Sequence, residues 1–192
     1  MCVLNKHSEK QKTIVPFIYK GYRLHPVSSE YKDQYVSFLR QFYRENNSVD
    51  YLSDNIDPHM SYITQKYRDK ENRGFFVFKD GELVGDLFIT RLGCLGSAFV
   101  GTIGLLKDHQ GKGVGRGLME VAETLARDSS SKSIELMVEP NNGNVVDFYK
   151  KLGYVVRRKS DDGWNMIKYL TVRGKGQGHV KPFNPEPVYM TK

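Results

Sequence analysis

Between an apolar run and a helical pattern lies the segment His109-Gln110-Gly111-Lys112-Gly113-Val114-Gly115-Arg116-Gly117. Its alternating glycines let backbone N–H groups turn inward and approach an anion closely. Val114, Leu118, Val121, Ala122 and Leu125 recur at helical spacing and predict a helix from about Gly113 to Arg127. The start of that helix adds unpaired donors and a partial positive charge. Lys112 and Arg116 add mobile charge. The segment is therefore an anion cradle suited to a pyrophosphate. Packing alone does not call for so many glycines, each costing about 1 kcal/mol inside a helix. A P-loop would need Ser or Thr after Lys112, where Gly113 stands. The dinucleotide fingerprint Gly-x-Gly-x-x-Gly fails too, because positions 116 and 118 are Arg and Leu.

Elements alternate around this turn. Phe17 to Leu24 has strand character, and Tyr31, Tyr35, Phe38, Leu39 and Phe42 fall at helical spacing after Ser28-Ser29. A polar stretch from Glu45 to Pro58 precedes a short helix from His59 to Lys70. Gly74 to Lys79, Asp80-Gly81 and Glu82 to Leu92 predict a hairpin. Ser97 to Leu106 is a strand candidate, and Ser133 to Glu139 a second one beyond the helix. Val145, Phe148, Tyr149 and Leu152 mark a short helix that Gly153 stops. Tyr154 to Arg158 and Trp164 to Leu170 close with a hairpin. The order β-α-α-β-β-β-α-β-α-β-β predicts a mixed α/β domain with one central, partly antiparallel sheet flanked by helices. The strands before and after the glycine-turn helix should be parallel.

Charge bears on the partner. The net charge is +7 over 192 residues. It sits at the ends, in a polar tail over 1–16 with the first strand and in a Gly/Pro-rich tail over 171–192. The middle of the domain, 24–170, carries no net charge. Nucleic acid is thus not expected to bind the core, and the basic tails are the places where it would. No apolar run reaches the ~20 residues of a membrane helix, and the N-terminus lacks a secretory h-region. A cytoplasmic protein is expected, with Cys2 and Cys94 as free thiols. Histidines 7, 25, 59, 109 and 179 show no ligand spacing, so no metal is expected.

Gln110-x-x-Gly113-x-Gly115 resembles the [Arg/Gln]-x-x-Gly-x-[Gly/Ala] signature of GCN5-related N-acetyltransferases. Asn142-x-x-Val145-Val146-x-Phe148-Tyr149-x-Lys151-x-Gly153-Tyr154 resembles that family's second signature, at the usual separation. The resemblance covers about 22–170. It implies that two parallel strands splay apart and that acetyl-CoA lies in the opening. Backbone groups of Ile103 and Leu105 would pair with the pantetheine arm. Gln110, Gly111, Lys112, Gly113, Val114, Gly115 and Arg116 would hold the pyrophosphate, and Asn142 would bond the cofactor arm. Tyr149 would point at the sulfur and act as general acid. The Leu105 N–H would stabilise the oxyanion.

The resemblance also implies a base, and members of that family often carry a Glu on the strand before the turn. Here Ser97 to Leu106 has no carboxylate. Glu139 is the first candidate base and Asp86 the second, unless a water chain serves or the amine arrives deprotonated. The loop between the first two helices, where the family often binds its acceptor, has four carboxylates and no Lys or Arg. Glu45, Asp50, Tyr51 and Asp54 in it suit a cationic amine, such as a polyamine or an aminoglycoside-like molecule. Two alternatives stand beside this one. One is acetylation of a protein lysine or N-terminus. The other is a non-catalytic acyl-CoA-binding module whose basic tails bind nucleic acid. A homodimer packed through the aromatic closing hairpin (Trp164, Tyr169) is a further expectation.

Overall fold

The structure is a computed structural model and describes residues 17–46, 55–67, 69–93, 96–140 and 142–171. The expected first strand is a hairpin instead. β1 (Phe17–Tyr19) and β2 (Tyr22–Pro26) pair antiparallel around Lys20 (φ 50°) and Gly21 (φ 79°). Lysine seldom enters the left-handed region, so the sequence gives little warning of this turn. Ser28 Oγ accepts from the Glu30 N–H and caps a 3-10 turn over Ser29–Tyr31, and α1 (Lys32–Glu45) follows. α2 (Ile56–Lys66) begins ahead of His59 and ends short of Lys70. Pro58 lies in its first turn, where a missing N–H breaks no helical bond.

The hairpin β3 (Arg73–Lys79) and β4 (Glu82–Thr90) turns at Asp80-Gly81, as expected. β5 (Ser97–Leu105), α3 (Val114–Asp128), β6 (Ser133–Val138), α4 (Gly143–Lys151), β7 (Val155–Ser160) and β8 (Gly163–Tyr169) complete the chain. The eight strands form one sheet in the order β1-β2-β3-β4-β5-β6-β8-β7. Among the described residues only β5 and β6 are parallel, and every other pair is antiparallel.

β3 and β4 are buried along nearly their whole length, so the sheet is covered on both faces there. α1 contributes Tyr35, Phe38 and Leu39 to the core over β4. α3 buries Val114, Leu118, Val121 and Ala122 against β5 and β6, the face that the periodicity marks. Glu123, buried on α3, binds Lys168 of β8 at 2.7 Å and Arg127 at 2.9 Å. That ion cluster fixes α3 against the far half of the sheet.

Two irregularities open the sheet. β5 pairs with β6 only from Ser97↔Ser133 to Val100↔Leu136, yet β5 runs on to Leu105. The β4–β5 register shifts between Phe88↔Thr102 and Ile89↔Val100, which leaves Gly101 as an extra residue on β5. A bulge bends its strand. Here it falls where the parallel pairing ends.

Candidate active site

The divergence of β5 from β6 makes a cleft of about 670 Å³. Its walls include Ile103, Leu105, Gln110, Gly111, Gly113, Gly115, Arg116, Glu139, Asn142 and Tyr149. Most of the residues expected to hold a cofactor, scattered over the sequence, thus meet in one place. Lys112 and Val114 are not in the wall. Val114 is buried in the core, so only its backbone faces the turn.

Backbone polarity along β5 follows from the register. The Leu106 N–H donates to the Val84 carbonyl at 3.0 Å. In an antiparallel ladder, alternate residues turn their backbone groups to opposite sides. The N–H groups of Ile103 and Leu105 therefore turn away from β4, toward the cleft that β6 has vacated. The Leu105 carbonyl accepts from Gln110 Nε2 at 2.8 Å. Gln110 thus ties the glycine turn back to the end of β5, a positioning role that its spacing did not reveal.

Gly113 is the N-cap of α3 at φ 83° and ψ 0°, a left-handed conformation that a side chain would strain. It aims the first N–H groups of α3 into the cleft. The β1–β2 hairpin braces the turn from outside. Lys20 Nζ donates to the Lys112 carbonyl at 3.2 Å, and the Tyr22 hydroxyl meets His109 Nδ1 at 3.1 Å.

Tyr149 comes from α4, whose end is fixed by a Schellman motif. The Tyr154 N–H donates to the Tyr149 carbonyl at 3.0 Å and the Gly153 N–H to that of Lys150 at 2.9 Å. The Tyr154 ring packs edge-on against Tyr149, with centroids 5.6 Å apart. Burial pushes the Tyr149 hydroxyl up to about 12, so it holds its proton at neutral pH. Asn142, the N-cap of α4, makes no side-chain capping bond, which leaves its amide available to the cleft.

The two base candidates differ sharply. Glu139 is exposed at the rim of the cleft. Asp86 is 3% exposed on β4, directly opposite Gly104. Its Oδ2 accepts from the Tyr35 hydroxyl at 3.2 Å, and its Oδ1 has no partner among the described residues. Burial pushes the carboxyl up to about 7, against hydrogen bonds from the Tyr35 hydroxyl and the Gly104 backbone. A Cβ on residue 104 would lie 2.8 Å from Asp86 Oδ1. Glycine there keeps the space in front of the carboxylate open.

Asp86 lines a second cavity of about 220 Å³, walled by α1, α2, β4 and β5. Phe42 and Thr102 border both this cavity and the cleft. The two spaces therefore lie back to back across β5. Of the acidic loop, Asp50, Tyr51 and Asp54 fall outside the described residues. Glu45 is engaged elsewhere: Oε2 accepts from the Lys107 N–H at 2.7 Å and Oε1 from Gln41 at 2.9 Å. The Lys107 bond in particular holds its carboxyl below the usual range. Among the described residues no group of His, Cys, Asp and Glu could hold a metal, and no helix is long and apolar enough to cross a membrane.

Among the described residues the sheet splits at its one parallel pair, and a glycine turn and a helix N-terminus stand at the mouth of the split. The model of the acetyltransferase (GNAT) family matches residues 34–154, and the chain belongs to that family. It is an N-acetyltransferase. Similar solved structures include an acetyltransferase from Streptococcus agalactiae (TM-score 0.65, 17% identity, 79% of this chain and 100% of that one). Another is a spermidine N-acetyltransferase from Vibrio cholerae in complex with CoA and spermine (TM-score 0.63, 18% identity, 79% and 97%). A third is the PaiA N-acetyltransferase from Thermoplasma acidophilum in complex with coenzyme A (TM-score 0.60, 18% identity, 77% and 98%). At these identities the likeness is one of fold. No curated protein matches the sequence.

Proposed function

We propose that the protein moves an acetyl group directly from acetyl-CoA to the primary amine of a cationic small molecule. The observation that carries this is the row of β5 N–H groups at Ile103 and Leu105 that turns toward the cleft, beside the left-handed N-cap of α3. Acetyl-CoA supplies an activated carbonyl and a thiolate leaving group. Ile103 and Leu105 present backbone groups to its arm, and the N–H groups around Gly113 face its pyrophosphate. The pairing of Arg116 with phosphate and of Asn142 with the arm completes the set. Two neighbours solved with coenzyme A have the same fold.

The chemistry divides among few groups. A cationic amine first gives up one proton to solvent; its lone pair then forms the new C–N bond, the C–S bond breaks, and a second proton leaves the nitrogen. The Leu105 N–H stabilises the oxyanion, a donor of a kind worth about 3–4 kcal/mol in the transition state. Asp86 receives the proton, because a carboxyl poised near 7 is matched to general-base work at neutral pH. Glu139 is exposed to solvent at the rim of the cleft. Tyr149 faces the sulfur. Complete transfer from a hydroxyl at about 12 to a thiolate of reference value about 8.5 is uphill by about 5 kcal/mol. Tyr149 therefore shares its proton with the departing sulfur in a hydrogen bond, and the thiol gains its own proton from Asp86 or solvent.

Thiol release from acetyl-CoA over a panel of amines tests this. Amine-dependent release is expected, reduced in Tyr149→Phe. No release with any amine, together with salt-sensitive binding to nucleic acid, would favour a non-catalytic module instead.

A further inference from the structure

The cavity behind Thr102 holds two unexplained groups. Four buried side-chain polar atoms lack a partner among the described residues, and two of them, Asp86 Oδ1 and His59 Nε2, belong to residues that line this one cavity. Tyr35 stands between the two residues. Its hydroxyl donates to Asp86 Oδ2, and its ring stacks on His59 with centroids 5.9 Å apart and planes at 15°. Asp86 forms no ion pair among the described residues. Burial also pulls His59 below its usual value, so the imidazole is neutral at pH 7. A buried carboxylate without a cation and a half-buried imidazole whose buried Nε2 has no partner among the described residues face one aromatic space, and together they describe a receptor for a molecule with two polar ends.

We propose that His59 sets the acceptor specificity of this cavity, selecting a slender primary amine that carries a second hydrogen-bonding group. The amine nitrogen sits on Asp86 Oδ1 and the second group on His59 Nε2. The inference rests on the acetyl-transfer function above and specifies its substrate. Size supports it, because about 220 Å³ lies below the roughly 300–1,000 Å³ of sites for drug-sized ligands. Phe38, Tyr62 and Tyr67 line the cavity, and aromatic rings attract an ammonium. A linear polyamine can insert one end; a branched aminoglycoside ring system cannot.

The test uses the full chain, acetyl-CoA, and linear alkylamines matched with amino alcohols of the same chain lengths, with an aminoglycoside as the bulky comparator. The wild type is expected to prefer the amino alcohol at its best length by tenfold or more in kcat/KM. In His59→Phe, which keeps the stack on Tyr35, that ratio should fall to about one. In His59→Gln, which restores a neutral hydrogen-bonding group, it should recover in part. Because the ratio compares two substrates on one protein sample, partial unfolding cancels. A wild-type ratio near one, a ratio retained in His59→Phe, or aminoglycoside turnover equal to that of the best amino alcohol would overturn the proposal. So would bound acetyl-CoA with no linear amine acetylated. Thiol release over the wider amine panel separates the two failures: no release with any amine counts against the acetyl-transfer function itself, whereas release with other amines but not with linear ones counts against this proposal alone.

Discussion

Replacing Asp86 with Asn should make the protein more stable and nearly inactive, and the size of both effects can be worked out. The Asp86 carboxyl lies at about 7 in the folded protein against a reference of 3.8. The folded value is above the unfolded one, which reverses the usual carboxylate case. Below about pH 4 both states are protonated and no penalty exists. As pH rises from about 4 to 7, the unfolded chain ionises first and stability falls. Above about pH 7 the penalty is complete, at about 4 kcal/mol for about three units. Asn has the same shape, still accepts from Tyr35 and cannot ionise. Asp86→Asn should therefore exceed the parent by up to about 4 kcal/mol at about pH 8 and by about 2 at about pH 5, with little difference near pH 4. For a chain of this size that is roughly 10 °C in Tm at the alkaline end. Loss of the base should lower kcat by about 10²–10⁴-fold and remove the limb near pH 7 from the kcat/KM profile. Differential scanning calorimetry across the pH range, paired with thiol-release kinetics, measures both. Melting curves that run parallel from pH 5 to pH 8 would refute the buried-carboxylate argument. An unchanged kcat would refute the role as base.

Other perturbations reach the remaining parts of the site. Tyr149→Phe keeps the ring packed on Tyr154 and should lower kcat by about 10–100-fold with the KM for acetyl-CoA unchanged, as read by steady-state kinetics. Gly113→Ala forces a side chain into the left-handed region at a cost of about 1–2 kcal/mol and should weaken acetyl-CoA binding in a calorimetric titration. Gly96→Ala, where an added Cβ meets nothing within 4 Å, should change neither stability nor binding. Reversing the charges of Asp50 and Asp54 should raise the KM for a cationic amine and leave acetyl-CoA binding alone. An unchanged amine KM would remove the acidic loop from the acceptor site.

What the sequence revealed follows from how local each signal is. The Asp80-Gly81 turn, the apolar face of α3 and the Gly153 stop of α4 are fixed by adjacent residues, and each forms as its pattern implies. Lys20-Gly21 was hidden because its first residue is an unusual occupant of a left-handed turn. The opening of the sheet is half legible. The glycine turn and the two signatures mark its rim, but the bulge at Gly101 appears only once β4 and β5 are in register. Glu139 and Asp86 look alike as letters. They are told apart by burial, and the burial of Asp86 depends on Tyr35, Phe38 and Phe42, which belong to a distant helix. His59 gave no signal at all, since its meaning lies in an unpaired nitrogen beside a cavity. Composition places Glu45 with the acidic residues that suit a cationic amine, whereas its carboxylate accepts from the Lys107 backbone N–H.

The most direct test of direct acetyl transfer in the β5–β6 cleft is a single-turnover reaction followed by mass spectrometry of both the amine and the protein. With acetyl-CoA and a linear amino alcohol, the amine should gain one acetyl group for each thiol released, while the protein mass stays constant throughout. Acetyl accumulating on the protein before it reaches the amine, or thiol released without acetylated amine, would contradict direct transfer.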